Sequence, residues 1–284
     1  MIAATHTLHE AADLLGVHYM TAYRYVRLGL LPATKLGGIW QVAVADLDAF
    51  RAEAAPAVAR GRRRAPWAER LEARLVAGDA RGAWGVVEAA LAAGTEIEEV
   101  YLDLLSPAMR SIGERWRNGE LDVSIEHRAT GIAFRLIGRL GPRLARRGRT
   151  RGVVLLGSPE GERHSLPVAL LADLLRGEGW EVSDMGADMP LASFVHAAEA
   201  TPDLVAVGVS VTSADCLPAA AALLSALRAA IGHVHLAVGG LAVQSRDHAL
   251  ALGADGWAPS AREFAEQFGS LAAPASGEAG EVPA

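Results

Sequence analysis

From Val153 to about residue 271 the chain alternates short apolar runs with amphipathic stretches, and few folds accept that rhythm. Val-rich runs at 152–157, 180–185, 204–211 and 233–238 are separated by helical patterns at 165–177, 190–200, 216–230 and 241–252. Runs with no polar alternation suit strands covered on both faces, and a helix between them returns the chain for a parallel neighbour. The pattern predicts an α/β domain over 150–272, a doubly wound parallel sheet with helices on both faces. A weaker strand at Gly256-Trp257-Ala258 and a last helix near 261–271 complete it. Ligands of such sheets bind beyond the carboxyl ends of the strands, so the loops after the apolar runs are where function is sought.

Upstream the patterning changes. Residues 67–149 read as helix throughout, with segments near 67–77, 79–93, 96–117 and 123–147 broken at Gly78, Gly94 and Asn118-Gly119. Short connections between four helices predict an up-down four-helix bundle. Residues 1–55 carry a different signature. Thr7 with Glu10 three residues later is a capping box for a helix over 7–16. Gly16 ends that helix, a second spans about Tyr19 to Leu28, and Gly37-Gly38 links two short extended runs as a hairpin before a helix at 44–53. Helix, tight turn, helix and hairpin in that order predict a winged helix-turn-helix that binds DNA. Thr21, Tyr23, Arg24 and Arg27 lie on the second helix and Lys35 on the wing. The first of these are candidates for base edges, Arg27 and Lys35 for phosphates; the plainer alternative is an ordinary helical surface. Residues 56–66 read as a linker rich in Ala, Pro and Arg, and 273–284 as a disordered tail.

Charge agrees with this division. The net −6 of the 284 residues resolves into +3 over 1–64, +1 over 65–149 and −10 over 150–284. The first segment carries the largest positive excess, the sign of a phosphate-binding surface. No apolar run reaches the roughly 18 residues of a membrane helix, and the N-terminus lacks the pattern of an export signal, so a cytoplasmic protein is expected. The single cysteine, Cys216, excludes an internal disulfide and argues against thiolate zinc sites.

Two histidines stand in suggestive surroundings. His164 lies in the loop after the first apolar strand, with Glu162 two residues earlier. A carboxylate there can hold one ring nitrogen and leave the other for a metal. At the same expected edge, the third strand offers Ser210 and Thr212, and the fourth ends in Gly239-Gly240, where missing side chains admit a bulky group. The other histidine, His127, follows Glu126 in the first turns of the fourth bundle helix, with Val123 just before and Trp116 at the end of the third. An exposed loop histidine and a core tryptophan are the plainer readings of either segment alone.

Taken together, these positions resemble a cobalamin-binding domain of flavodoxin-like, Rossmann-type fold, in which an Asp-x-His-x-x-Gly motif supplies the lower cobalt ligand. This chain has Glu162 where Asp is usual and Pro167 where Gly is expected. A helical bundle directly before such a domain resembles the cap of corrinoid methyl carriers and of cobalamin-dependent methionine synthase. Trp116, nine residues, then Glu126-His127 is similar to the CarH and LitR family of cobalamin-dependent photoreceptor repressors, whose N-terminal domain is of MerR type. That resemblance implies adenosylcobalamin, with methylcobalamin as a second form, held by Trp116, Val123, Glu126, His127, Glu162, His164, Ser210, Thr212, Gly239 and Gly240. His164 would be the lower cobalt ligand and His127 the upper ligand after photolysis, with Trp116 against the adenosyl group and Glu126 on its ribose. It implies a double-stranded DNA operator as partner, a homo-oligomer (a tetramer in the dark) and a repressor without catalytic residues. Two other functions fit part of the pattern: a regulator sensing cobalamin or redox state without light, and a corrinoid methyl-carrier component of a methyltransferase.

Overall fold

The computed structural model describes residues 5–15, 22–23, 25–26, 31–36, 39–50, 66–146, 148–269 and 271. The chain divides between Pro66 and Trp67 into two compact units.

In the smaller unit, β1 (Thr5–Thr7), β2 (Thr34–Leu36) and β3 (Ile39–Ala43) form an antiparallel sheet in the order β1-β3-β2. The pairing of Leu36 with Ile39 makes β2 and β3 a hairpin. α1 (Leu8–Leu15) begins at the expected capping box: the Thr7 amide donates to Glu10 Oε2 at 2.8 Å, and the Glu10 amide donates to Thr7 Oγ at 3.3 Å. Leu8, Ala11 and Ala12 of α1 share a buried core with Ala22, Leu31, Val42 and Leu47. Residues 22–23 and 25–26 are helical, as are 44–50. Thr21, Arg24 and Arg27, the Gly37-Gly38 turn, the linker up to residue 65 and the tail lie outside the described residues.

The larger unit begins with four helices: α2 (Trp67–Ala77), α3 (Ala80–Ala92), α4 and α5 (Val123–Leu144). α4 runs as Ile97–Glu99, a π-helical stretch Val100–Leu105, and Ser106–Arg117. The sequence predicts an unbroken α-helix there; the π turn is a difference. It is stabilised where Ser106 Oγ donates to the Tyr101 carbonyl at 2.8 Å, and it leaves Tyr101 fully buried. Asp79 and Asp122 cap α3 and α5 by accepting the amides of Gly82 and Ser124, both at 2.8 Å.

The sheet is parallel, in the order β5-β4-β6-β7, with β4 (Val153–Gly157), β5 (Glu181–Asp184), β6 (Leu204–Ser210) and β7 (His235–Gly239). Its helices are α6 (Leu166–Gly177), α7 (Leu191–Ala200), α8 (Leu217–Ala230), α9 (Arg246–Ala251) and α10 (Ala261–Gly269). Successive strand residues face opposite layers. Leu155, Val207, Val209, Leu236 and Val238 pack with residues of α7 and α8, such as Phe194 and Leu224. Val154, Leu156, Ala206 and Ala237 join a second core that runs through α6 and α10 into the bundle. Bundle and sheet therefore share one apolar interior. The expected fifth strand is reduced to a single bridge, Ala237 to Gly256.

α9 starts later than the pattern over 241–252 predicts. The Ala242 amide donates to Val211 O at 3.1 Å, and the Trp257 indole donates to Val243 O at 3.1 Å, holding this stretch as a turn. Ser245 then caps the helix through the His248 amide. Among the described residues, no helix is long and apolar enough to cross a membrane.

Candidate functional site

At the carboxyl edge of the sheet, β4 passes into the loop that carries Glu162 and His164, and α6 begins at Leu166. Pro167 sits in the first turn of α6, where a missing amide donor costs the helix nothing. The Glu162 side chain is fully buried and the His164 ring is half exposed. His164 Nδ1 lies 2.5 Å from Glu162 Oε1, and the His164 amide donates to the same oxygen at 3.0 Å. The other oxygen, Oε2, accepts the amides of Thr212 and Ser213 at 2.7 and 2.8 Å. Burial alone would raise the Glu162 carboxyl. The hydrogen bonds from His164, Ser213 and Thr212 outweigh it and bring the group down to about 2. The same bond to Glu162 raises His164 above the ordinary imidazole value, against the opposing effect of burial. With Nδ1 held by a carboxylate, Nε2 is the nitrogen left for a ligand.

The bundle supplies a matching pair. His127 Nδ1 lies 2.6 Å from Glu126 Oε2, and Thr130 Oγ donates to Glu126 Oε1 at 2.8 Å. Here the imidazole is three-quarters exposed. The negative charge of Glu126 and the positive charge of Arg117 both act on His164, so this end of the bundle lies near the sheet edge. Trp116 and Val123, at the same end of the bundle, are 42% and 43% exposed. Trp116 is thus not the core residue of the plainer reading.

Thr212 meets the site through its amide, and no side-chain hydrogen bond ties Ser210 or Thr212 to it among the described residues. Gly239 and Gly240 answer first to the protein itself. A Cβ on Gly239 would lie 3.3 Å from the Phe264 ring; one on Gly240, whose φ is +102°, would come within 2.8 Å of the Val211 backbone. The missing side chains let two strand ends close together, a different use from the open approach the sequence predicts. Glu126 holds His127 and Thr130, contacts that the sequence does not announce. Arg117, Thr130 and the Ser213 amide are further members of the site absent from the sequence reading. Thr130 stands four residues after Glu126 on one helix face, a spacing that could have signalled it.

Of the candidate DNA contacts, Lys35 is exposed, its Nζ 6.0 Å above the Trp40 ring. Tyr23 packs against the core of the small unit, so its ring is partly committed there.

Comparison with known proteins follows the same division of the chain. Residues 7–55 match a helix-turn-helix domain family, 67–140 match one B12 binding domain family and 152–265 match another. Trimethylamine corrinoid protein 1 of Methanosarcina acetivorans is 30% identical over 130 residues, covering 43% of this chain and 58% of that protein. The dimethylamine corrinoid protein of Methanosarcina barkeri is 28% identical over 122 residues, covering 42% of this chain and 57% of the relative. The chain thus spans a little over half the length of these curated relatives. In fold, the structure of the Methanosarcina barkeri monomethylamine corrinoid protein superposes with a TM-score of 0.59 at 21% identity, over 70% of this chain and 94% of that one. The helical bundle and the parallel sheet are accordingly the two parts of a B12-binding fold, and in this chain they follow a helix-turn-helix domain.

Proposed function

We propose that the protein is a cobalamin-dependent, light-responsive transcriptional regulator, a repressor of the CarH and LitR type. It would hold adenosylcobalamin between bundle and sheet, with methylcobalamin as a second form. The observation that carries this reading is the pair of glutamate-held imidazoles, one at the carboxyl edge of the sheet and one in the first turns of α5. Each is gripped at Nδ1 by a glutamate one or two residues earlier, and each keeps Nε2 for a ligand. Two such donors suit a flat group that accepts a nitrogen on each face. The apolar surface of Trp116 and Val123 suits its upper side.

His164 would hold the cobalt from below, its ring orientation fixed by Glu162. Trp116 and Val123 would shield the upper ligand from water. Bound alkylcobalamin supplies a cobalt–carbon bond that visible light breaks. His127 would offer a second nitrogen donor, and any turn of its ring away from Glu126 would loosen the first turn of α5. A helix shifted at that end would disturb oligomer contacts built on the bundle, and DNA avidity would fall with them. The winged helix-turn-helix would contact operator DNA through Thr21, Tyr23, Arg24, Arg27 and Lys35, in a homo-oligomer that is a tetramer in the dark. Binding and switching are its role in this reading, not catalysis, and its place is the cytoplasm.

The corrinoid relatives favour one second reading, a methyl carrier that docks with a methyltransferase. The helix-turn-helix match favours the regulator. The test is DNA retardation by protein loaded with adenosylcobalamin in darkness and then exposed to green light. The proposal expects retardation in the dark, release on illumination, and loss of release in His127→Ala. Cofactor-dependent retardation that ignores light would point to a light-independent sensor. Cofactor binding without retardation in either condition would point to the carrier.

A further inference from the structure

Charge is distributed one-sidedly along α5 and the turn after it. Between His127 and Pro159 the chain has eight arginines and no aspartate or glutamate. On α5, Arg135, Arg139 and Arg143 recur every fourth residue, so they stand one above another on one face, about 6 Å apart along the axis. Arg146 follows just beyond the helix, and all four are exposed. The Arg139 guanidinium lies 4.9 Å from the centre of the Trp84 ring. The ion pairs among the described residues use other arginines, so Arg135, Arg143 and Arg146 have no carboxylate partner there. The face is also uncovered: a methyl group added at Gly138, within the row, would meet no atom within 4 Å.

Left to itself, such a row is unfavourable, because like charges four residues apart on a helix repel. The helix dipole favours cations only in the last turn, which accounts for Arg143 but not for Arg135 and Arg139 further in. An external anion would relieve the repulsion. Guanidinium groups suit phosphate, whose oxygens accept their paired N–H groups. A protein partner would have to offer a matching row of carboxylates, whereas a DNA strand presents one phosphate per 3.4 Å or so whatever its sequence. The smaller unit gives a reason for such help. Residues 1–50 hold three Lys/Arg against four Asp/Glu, a sum of −1, and the positive excess of the first segment lies in 51–64, outside the described residues. A helix-turn-helix of that charge gains little from long-range attraction to a polyanion.

We infer that the row of Arg135, Arg139, Arg143 and Arg146 is a second DNA contact, a sequence-independent grip on the phosphates of the duplex that the helix-turn-helix engages. The inference rests on the DNA-binding reading above and adds to it a surface on the other unit. Residues 51–65 join the two units and span at most about 50–60 Å, so a duplex held by one is within reach of the other. Each engagement then raises the effective concentration for the second. The row reads no base; it contributes affinity and salt dependence alone. The −10 of residues 150–284 would be repelled by the same duplex, which disfavours the sheet layer as the contacting side.

The test is binding of the full-length protein, kept in darkness with adenosylcobalamin, to a mixed-sequence DNA duplex by fluorescence anisotropy over a series of salt concentrations. The triple variant Arg135→Gln, Arg143→Gln and Arg146→Gln removes three unpaired charges and leaves the Arg139–Trp84 contact in place. Its plot of log K against log salt should be shallower than that of wild type by about 3, roughly 0.9 for each phosphate contact. Its Kd at low salt should rise at least tenfold, while its Tm stays at or above the wild-type value because like charges have gone. Lysine at the same three positions should restore the slope, since charge and not the side chain's packing is what counts. Should the triple variant fail to fold, the three single glutamine variants decide, each lowering the slope by about 1. A glutamine variant with the wild-type slope would overturn the inference, and so would lysine variants as weak as the glutamine ones. Sedimentation of the protein alone covers the alternative of a second copy: loss of mass in the triple variant with an unchanged slope would make this face a protein interface and overturn the inference. Lys35→Gln, on the wing, separates this claim from the reading it rests on. A slope lowered by Lys35→Gln but not by the triple variant would sink the α5 contact alone. The reverse would support the α5 contact and strike the wing contact, and wild type without affinity for the duplex would overturn both.

Discussion

Replacing Gly141 by alanine near the C-terminal end of α5 should destabilise the protein, although alanine is the better helix former. Gly141 is not in a left-handed conformation, so on propensity alone the change would favour the helix by about 1 kcal/mol. The space is taken, however. A Cβ there would lie within 2.8 Å of the Asp173 carboxyl atoms. That carboxylate is buried at the seam between bundle and sheet layers, accepting Tyr101 OH at 2.8 Å and Arg176 at 2.9 Å. Both partners are fixed: Tyr101 is fully buried on the π turn of α4, and Arg176 also donates to Val182 O at 3.1 Å. Moving the carboxylate loosens two hydrogen bonds to a charged group, each contributing about 1.5–3 kcal/mol, in a core that yields little. With the propensity gain subtracted, the net loss is about 2–5 kcal/mol. For a unit of this size each kcal/mol shifts Tm by roughly 2–4 °C, so a fall of about 4–20 °C is expected. Gly138, nearly one turn earlier, is the control. It is exposed, no atom lies within 4 Å of where an added methyl group would sit, and Gly138→Ala should raise Tm by a few degrees. Thermal unfolding followed by circular dichroism reads both. Gly141→Ala as stable as wild type would refute the packing at this seam.

Other outcomes follow from the site. Glu162 is held near 2 against an ordinary 4.5, so its contribution to stability is present above pH 4.5 and lost as pH falls toward 2. His164 is raised, so its contribution is present below its ordinary value and lost as pH rises through the folded one. Urea unfolding across this range should show a pH dependence in wild type that flattens in Glu162→Gln; equal slopes would contradict the pairing. Trp116→Ala, at an exposed position, should change stability by only about 0.5 kcal/mol while lowering retention of adenosylcobalamin in gel filtration; a large loss of stability would make Trp116 structural. In the dark, His164→Ala should weaken cobalamin retention more than His127→Ala does; equal retention would mean the lower ligand is misassigned.

Much of the architecture is legible in the sequence because it depends on local periodicity. The Val-rich runs form the four parallel strands, and Thr7 with Glu10 forms the capping box. The contact between Glu162 and His164 is readable as an imidazole beside its orienting carboxylate, because the two residues lie in one loop. Other features depend on partners far along the chain. The amides that hold Glu162 come from residues 50 and 51 positions later, and an amide leaves no mark in residue identity. The π turn at Val100–Leu105 has no periodicity to distinguish it from α-helix; its sense lies in Tyr101 reaching Asp173, 72 residues away. Likewise α9 begins late because Trp257 ties down Val243. Gly239-Gly240 differs in another way. Close approach is the correct reason for glycine there, but the approaching group at Gly240 is Val211 of the same chain.

The central claim is that a corrinoid lies between bundle and sheet with the His164 imidazole as its lower axial nitrogen. Electron paramagnetic resonance of the protein loaded with cobalamin and reduced to the cobalt(II) state tests it most directly, with and without ¹⁵N-labelled histidine. The account predicts an axial nitrogen splitting that changes from triplets to doublets on labelling and disappears in His164→Ala. A splitting indifferent to the histidine label would mean that the axial nitrogen belongs to the cofactor's own base, and would contradict it.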